Sequence, residues 1–345
     1  FHSRIKGTES IIRLGAFNFQ PAEFCKIFVA LALAKYFSRP ETNFNRPGSQ
    51  FTAALLVLIP AGMAILQRET GLALVYFSFF LMMYREGLPS IIPTIGFALV
   101  ILIIASILIP PNTLAIVLSA IAVLLIYVLR RQIKRRKQIL TSILLVWAIA
   151  VGIQRFAVPL IFEKVLQKHQ VERIYNLFGK DNPYDPIYAA LPEEDSKKKK
   201  ESGSSYNVRQ SKIAIGSGGL FGKGFMNGTQ GQLDFLPEKQ TDFIFTMLCE
   251  ELGFIGAIVT ILIYFLIIIV SINITLKTRH QYGRLLVMGV VNIFFIHMFV
   301  NMGMVMGLIP VVGAPLPFVS YGGTIMASMM IGFGLVLNVD ISRDF

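Results

Sequence analysis

Leu252-Gly-Phe-Ile-Gly-Ala-Ile-Val-Thr-Ile-Leu-Ile-Tyr-Phe-Leu-Ile-Ile-Ile-Val-Ser-Ile-Asn-Ile-Thr-Leu276 runs without one charged side chain. That exceeds the roughly 20 apolar residues a helix needs to cross a hydrocarbon core. A bare peptide group finds no water there, so such a stretch crosses as a helix that bonds its own backbone. Working outward, eight more apolar segments can be drawn, at 24–36, 51–66, 72–84, 91–109, 113–129, 139–160, 285–308 and 318–339. Segment 139–160 and the last three of the chain are long enough to span. The first three are short, and the 51–66 and 72–84 pair also reads as a shallow hairpin. The fold class expected is all-α, a polytopic transmembrane helix bundle forming one membrane domain over residues 1–345.

Composition agrees. Of 345 residues, 54% are hydrophobic and 15% charged, against roughly 25% charged in soluble domains. The net charge of +12 would suit nucleic acid, but the basic residues sit in short loops between apolar segments. That is the pattern of membrane topology, not of a phosphate-binding face. Cys25 and Cys249 lie far apart without metal-ligand spacing and read as small buried side chains. The chain opens on Phe1 with no signal peptide, and is read as the C-terminal part of a longer protein.

Loop charge sets the orientation. One set of loop ends carries Lys35, Arg39, Arg46, Arg85, the run Arg130-Arg131-Gln-Ile-Lys134-Arg135-Arg136-Lys137, Lys277, Arg279, Arg284 and Arg343. The short loops of the other set hold only Arg68. The positive-inside rule makes the first set cytoplasmic, although Arg4, Lys6 and Arg13 run against it. The long loop 161–251 is then extracellular. Within it, 181–205 includes Glu193-Glu-Asp-Ser-Lys-Lys-Lys-Lys-Glu-Ser-Gly-Ser-Ser205, which cannot bury a core and is expected to be disordered.

The same loop ends in Gly216-Ser-Gly-Gly-Leu-Phe-Gly-Lys-Gly224 and Leu236-Pro-Glu-Lys-Gln-Thr-Asp-Phe-Ile-Phe245. The glycines, Gly218 and Gly219 among them, would let amides turn inward toward an anion; a plain turn is the alternative. The run is not a Walker A loop, since Ser217 and Gly224 stand where Gly and Ser or Thr are required. Asp234, Glu238 and Asp242 follow, with Thr241 beside the last. Asp242 would either cap the helix that begins there or act as a general base at the membrane surface. Glu250 and Glu251 read as dipole partners at the start of a helix. Glu23 and Lys26 sit three residues apart as an interfacial ion pair or one wall of a polar cavity. His297 and Asn301 share a helix face suited to interhelical hydrogen bonding. Residues 307–324, which include Ser320, hold so much Pro and Gly that a broken helix is expected.

Together these motifs resemble the SEDS family (shape, elongation, division and sporulation), and its elongation type more than its division type. The resemblance rests on Phe19-Gln-Pro-Ala-Glu-Phe-Cys-Lys26, Gln210-Ser-Lys-Ile-Ala-Ile-Gly-Ser-Gly-Gly-Leu220, Gly222-Lys-Gly224, Asn227-Gly-Thr-Gln-Gly-Gln-Leu-Asp-Phe-Leu-Pro-Glu238, Thr241-Asp-Phe-Ile-Phe245 and Gly307 to Thr324. It covers most of the chain outside about 90–135 and the 181–205 insert. It implies a peptidoglycan glycosyltransferase of the bacterial plasma membrane, polymerising lipid II outside the cell beside a class B penicillin-binding protein. Asp242 matches the family's catalytic carboxylate, and Glu23 and Lys26 its polar cavity pair. Gln170 and Arg173 match a Gln-x-x-Arg without a role that follows from chemistry. On that reading Glu238, Thr241, Ser320 and the glycines contact substrate. Arg209, Lys212 or Lys223, with a divalent cation such as magnesium or manganese, would offset the pyrophosphate charge; metal ligands are not identified.

Departures are equally plain. Gln67-Arg-Glu-Thr-Gly-Leu72 stands where the family usually has Gln-x-Asp-x-Gly-Thr, and Gln240 replaces a common His. Seven helices are expected from this starting point in the family, against nine counted; an added pair leaves every later loop on its side. A lipid flippase or transporter lined by Glu23, Lys26 and Asp242 is the competing class, and a non-catalytic scaffold a third.

Overall fold

The computed structural model describes residues 12–14, 17–44, 46–67, 69–166, 168–178, 203–233 and 235–342. Asp234, Arg68, Arg343, Arg4, Lys6 and residues 181–202 of the insert lie outside them. The chain forms two compact units, residues 1–89 with 206–345, and residues 90–205.

The first unit opens with a two-stranded antiparallel ladder, β1 (Ile12–Leu14) and β2 (Phe17–Phe19), with Ile12 opposite Phe19. Helix α1 (Pro21–Phe37) starts on Pro21, whose missing N–H costs nothing in a first turn. Helix α2 (Pro47–Leu66) is long and apolar enough to span, while α3 (Thr70–Phe77) and α4 (Phe79–Arg85) together make a shorter apolar stretch.

In the second unit α5 (Ile91–Leu108), α6 (Pro111–Val128), the short α7 (Arg130–Arg135) and α8 (Gln138–Gly152) follow one another. Helix α8 continues through π-helical Ile153–Ala157, α9 (Val158–Leu160) and π-helical Ile161–Val165. Pro159 has no N–H for an α-helical bond, so the widened turns flank it. Gln154 Nε2 donates to the Pro111 carbonyl at 2.7 Å and Arg155 to Asn112 Oδ1 at 3.0 Å, tying α6 to the α8 continuation. Helix α10 (Lys168–Leu177) buries Val171 and Tyr175 with Ile107, Val158 and Phe162 in a small core.

The chain re-enters the first unit through α11 (Gly203–Ser217), so the last residues of the expected disordered insert are helical. A short α12 (Thr229–Gln232) follows, then α13 (Ile244–Lys277), α14 (Gln281–Val305) and α15 (Gly323–Ile341). Helix α14 is the hub: 72% of its apolar stretch is buried, against 28% or less in the other six candidate spans. Its Gly289 meets Ala30 of α1, where a Cβ would stand 3.1 Å from the alanine methyl. Gly332 of α15 closes on Ile27 and Val290 in the same way. Small residues let backbones approach where lipid gives no hydrophobic drive between helices.

Among the described residues each of the nine apolar segments is helical over most of its length, and seven helices are long and apolar enough to cross a membrane. The protein is a multi-pass membrane protein. The break expected at 307–324 is present, since α14 ends at Val305 and α15 begins at Gly323. A second break had no counterpart in the reading of the sequence: Gly253, at φ 69°, interrupts α13.

Candidate active site

Asp242 sits in a turn built on Glu238, which holds φ at 63°. The Glu238 carbonyl accepts from Thr241 N and Phe243 N, each at 3.2 Å, and Thr241 Oγ1 donates to Glu238 Oε2 at 3.1 Å. Leu236, Phe243 and Phe245 are buried and anchor the turn in the core. Three successive carbonyls of this turn are then caught by groups from the far end of the chain. Gln240 O accepts from Tyr321 N at 2.8 Å, Thr241 O from Ser320 Oγ at 2.6 Å, and Asp242 O from Asn301 Nδ2 at 2.9 Å. Asn301 Nδ2 also donates to Ala314 O at 2.7 Å, and Ser320 Oγ accepts from Leu316 N at 2.7 Å. Asn301 and Ser320 are buried, where an unmade hydrogen bond costs about 1–3 kcal/mol. The arrangement fixes the main chain at Asp242 and leaves its half-buried carboxylate toward Gly313, whose Cβ, if it had one, would lie 3.4 Å from Oδ2. Phe243, and not Asp242, is the residue immediately preceding α13, and the Phe243 position makes no side-chain cap bond.

Behind Gly313 stands Gly71. A Cβ there would fall 2.7 Å from Val312 O and 3.1 Å from Gly313 O. The motif that departs from the resembled family at Glu69 and Leu72 thus contributes a close approach of backbone at its glycine. Leu72 is buried. Tyr264 OH donates to the Pro317 carbonyl, holding the other end of the linker to α13.

The glycine loop does something other than form an open anion nest. It packs its backbone into the break of α13: a Cβ on Gly218 would strike Cys249 O at 2.2 Å, and one on Gly222 would strike Glu251 O at 2.1 Å. Lys223 N donates to Glu250 O and Gly224 N to Glu251 O, while Phe254 N and Ile255 N return bonds to Gly219 O and Leu220 O. Several amides are therefore spent on carbonyls, although a Cβ at Gly219 would face open space. The Lys223 ammonium pairs at 2.6 Å with Glu250 Oε1, whose side chain is fully buried, and also reaches Thr229 Oγ1. Thr229 Oγ1 and Gln230 N complete the cage around that oxygen. Glu250 and Glu251 lie at the break and not in the first turn of α13, which corrects their expected dipole role. Nothing in the sequence marks Glu250 as a site residue, and no spacing links it to Lys223.

Arg209 and Lys212 are exposed on α11, and the Lys212 ammonium lies beside the backbone of Gly307, a residue at φ 71°. Glu23 and Lys26 are buried at 3% and 0% exposure and form an ion pair in which the ammonium also lies 2.9 Å from His297 Nε2. Ser328 Oγ of α15 donates to Glu23 O at 2.7 Å. The ion pair expected of Glu23 and Lys26 is therefore present, and it is buried. His297 and Asn301, one turn apart on α14, join it to the Asp242 turn. Gln170 and Arg173 lie on α10 of the second unit.

The family described as cell cycle protein (FtsW, RodA, SpoVE) matches residues 1–120 and 85–344. The two matches overlap across the stretch where extra helices are counted. The chain is 32% identical over 338 residues to the peptidoglycan glycosyltransferase MrdB of Escherichia coli strain K12, covering 98% of this chain and 72% of that one. It is 30% identical over 363 residues to the peptidoglycan glycosyltransferase RodA of Treponema pallidum, covering 99% and 78%. A solved structure described as structural coordination of polymerization and crosslinking by a peptidoglycan synthase complex shares the fold, with TM-score 0.61, 23% identity, and 99% and 76% coverage. On these matches, the chain belongs to the FtsW/RodA/SpoVE family.

Proposed function

We propose that this protein is a peptidoglycan glycosyltransferase that polymerises lipid II into glycan strands during cell-wall elongation, on the outer face of a bacterial plasma membrane. The single observation that carries the reading is the triple clamp on the Gln240, Thr241 and Asp242 carbonyls. It fixes the backbone under one carboxylate, which stands just before the first turn of α13. The relatives' names support the reaction class, and loop charge supports an outward-facing 161–251.

In this mechanism Asp242 accepts the proton of the acceptor sugar hydroxyl as its oxygen bonds to the donor's anomeric carbon. The bond from that carbon to the pyrophosphate oxygen breaks, and undecaprenyl pyrophosphate leaves. Arg209 and Lys212 offset the charge that develops on the leaving group. Lys223, Gly218 and Ser320 act one step back, by holding the loop, the α13 break and the Thr241 carbonyl. Glu238 and Thr241 shape the turn that presents Asp242. No group of three or more His, Cys, Asp or Glu that could hold a metal ion occurs among the described residues. A class B penicillin-binding protein is the proposed partner, a reading supported by the synthase-complex structure.

The test is polymerisation of labelled lipid II by the full-length protein with its partner, wild type against Asp242→Ala. Glycan chains from the wild type alone, with the variant folded and partner-bound, are expected. Equal product from both would remove Asp242 as the base, and none from either would move the reading to transport or scaffolding.

A further inference from the structure

Helix α7 joins two helices that are each long and apolar enough to cross a membrane, α6 and the helical stretch from Gln138 to Lys164. The connection is only a few residues long, so it must lie at the bilayer surface. It carries Arg130, Arg131, Lys134, Arg135, Arg136 and Lys137, all exposed. No acidic residue occurs in the sequence between Glu86 and Glu163. Among the described residues none of the six forms an ion pair.

The placement is not random. At 100° per residue, Arg130, Lys134, Arg131 and Arg135 occupy an arc of about 140° on α7, with Gln132 and Ile133 on the remainder. The Arg130 guanidinium stacks over the Tyr127 ring, 4.8 Å from its centroid, on the last turn of α6. An aromatic ring at that level is an interfacial anchor, so this cation is held at headgroup depth. A topology signal needs only positive charge near a helix end. A one-faced cationic helix, without an ion pair among the described residues and pinned at the interface, also suits a ligand that is itself a layer of anions.

We propose that the α6–α7–α8 hairpin binds anionic phospholipid headgroups and gathers such lipids around the protein. Clusters of Lys and Arg next to a spanning helix attract acidic lipid, an attraction that salt screens over about a Debye length.

Trp147, the only tryptophan of the sequence, provides the readout. It lies ten residues beyond Lys137, about 15 Å down α8 at 1.5 Å per residue, and its Nε1 donates to Ser119 Oγ of α6. The full-length protein, with any tryptophan outside residues 1–345 changed to phenylalanine, is placed in mixed phosphatidylcholine and phosphatidylglycerol vesicles. One or the other lipid carries brominated chains, at equal mole fraction. In about 0.05 M salt, brominated phosphatidylglycerol should quench Trp147 as if enriched at least about threefold, and about 0.5 M salt should bring the ratio toward one. R131Q/K134Q/R135Q leaves Arg130, Arg136 and Lys137 to hold topology and should lie near one at both salts. A wild-type ratio of one at low salt would overturn the proposal, leaving the cluster as a topology signal or a site for an acidic protein. So would a folded triple variant that keeps the full ratio. If that variant does not fold, the wild-type salt series decides alone.

Discussion

Asn301 donates its side-chain amide to the main-chain carbonyl of Asp242 at 2.9 Å, across 59 residues of sequence. The same nitrogen holds Ala314 O at 2.7 Å. One buried amide therefore joins the proposed base, the broken linker and the central helix. Asn301→Ala should lower polymerisation by about 10–100-fold through misplacement of the carboxylate. Stability should fall by about 1–3 kcal/mol from stranded carbonyls. Asn301→Asp keeps the shape but cannot donate, so it should do no better than alanine. Wild-type turnover in the folded aspartate variant would show that the clamp does not position the carboxylate.

Asp242→Asn is expected to cost about 10²–10⁴ in turnover, the usual worth of a positioned base. Because the Asn301, Ser320 and Tyr321 bonds hold the main chain of this turn and Asn keeps the side chain's shape, thermal unfolding in detergent should shift little. A large stability loss would mean that the residue is structural after all.

Lys223 and Lys212 separate by function. The Lys223 side chain is 26% exposed and pairs with a fully buried Glu250. Lys223→Ala should destabilise the protein by about 2 kcal/mol, less than a fully buried pair, since Thr229 and Gln230 still bond Glu250. Affinity for a pyrophosphate lipid should be nearly unchanged in that variant. Lys212→Ala, at an exposed position, should do the reverse. Binding and unfolding measured on both variants would expose the opposite assignment.

Gly71→Ala places a methyl 2.7 Å from the Val312 carbonyl, closer than ordinary contact allows. The linker at Gly313 must then move, and with it the surroundings of Asp242, so turnover should drop several-fold or more. Gly48→Ala meets nothing within 4 Å and serves as the control. Equal activity of the two variants would argue against the Gly71 contact.

Lys26→Met strands Glu23 in the core of the first unit and should destabilise by about 3–5 kcal/mol. Glu23→Gln combined with Lys26→Met should recover much of that loss. If the double variant is stable yet inactive, the pair serves catalysis beyond folding, which a lipid II assay on the same sample would reveal.

The helical character of the nine apolar segments, the multi-pass class and the break at 307–324 were legible in the sequence because each follows from local composition. A run such as Leu252 to Leu276 must bond its own backbone in lipid, and Pro and Gly cannot continue a helix there without protein around them. Asp242 was legible as a spaced acid beside an apolar run, and His297 with Asn301 as a polar face at helical spacing. The roles of the glycines were not. Gly218 and Gly222 serve a backbone approach to Cys249 and Glu251, which depends on where α13 breaks, and the break at Gly253 carries no proline to announce it. Nor could spacing tell that Lys223 is spent on Glu250, or that Tyr321, Ser320 and Asn301 would close on three consecutive carbonyls. Hydropathy and charge act on each segment separately, so one sequence suffices to read them. Hydrogen bonds between residues 59 or 79 positions apart exist only once α14 and its linker have packed against the α13 turn, and that is a property of the folded core alone.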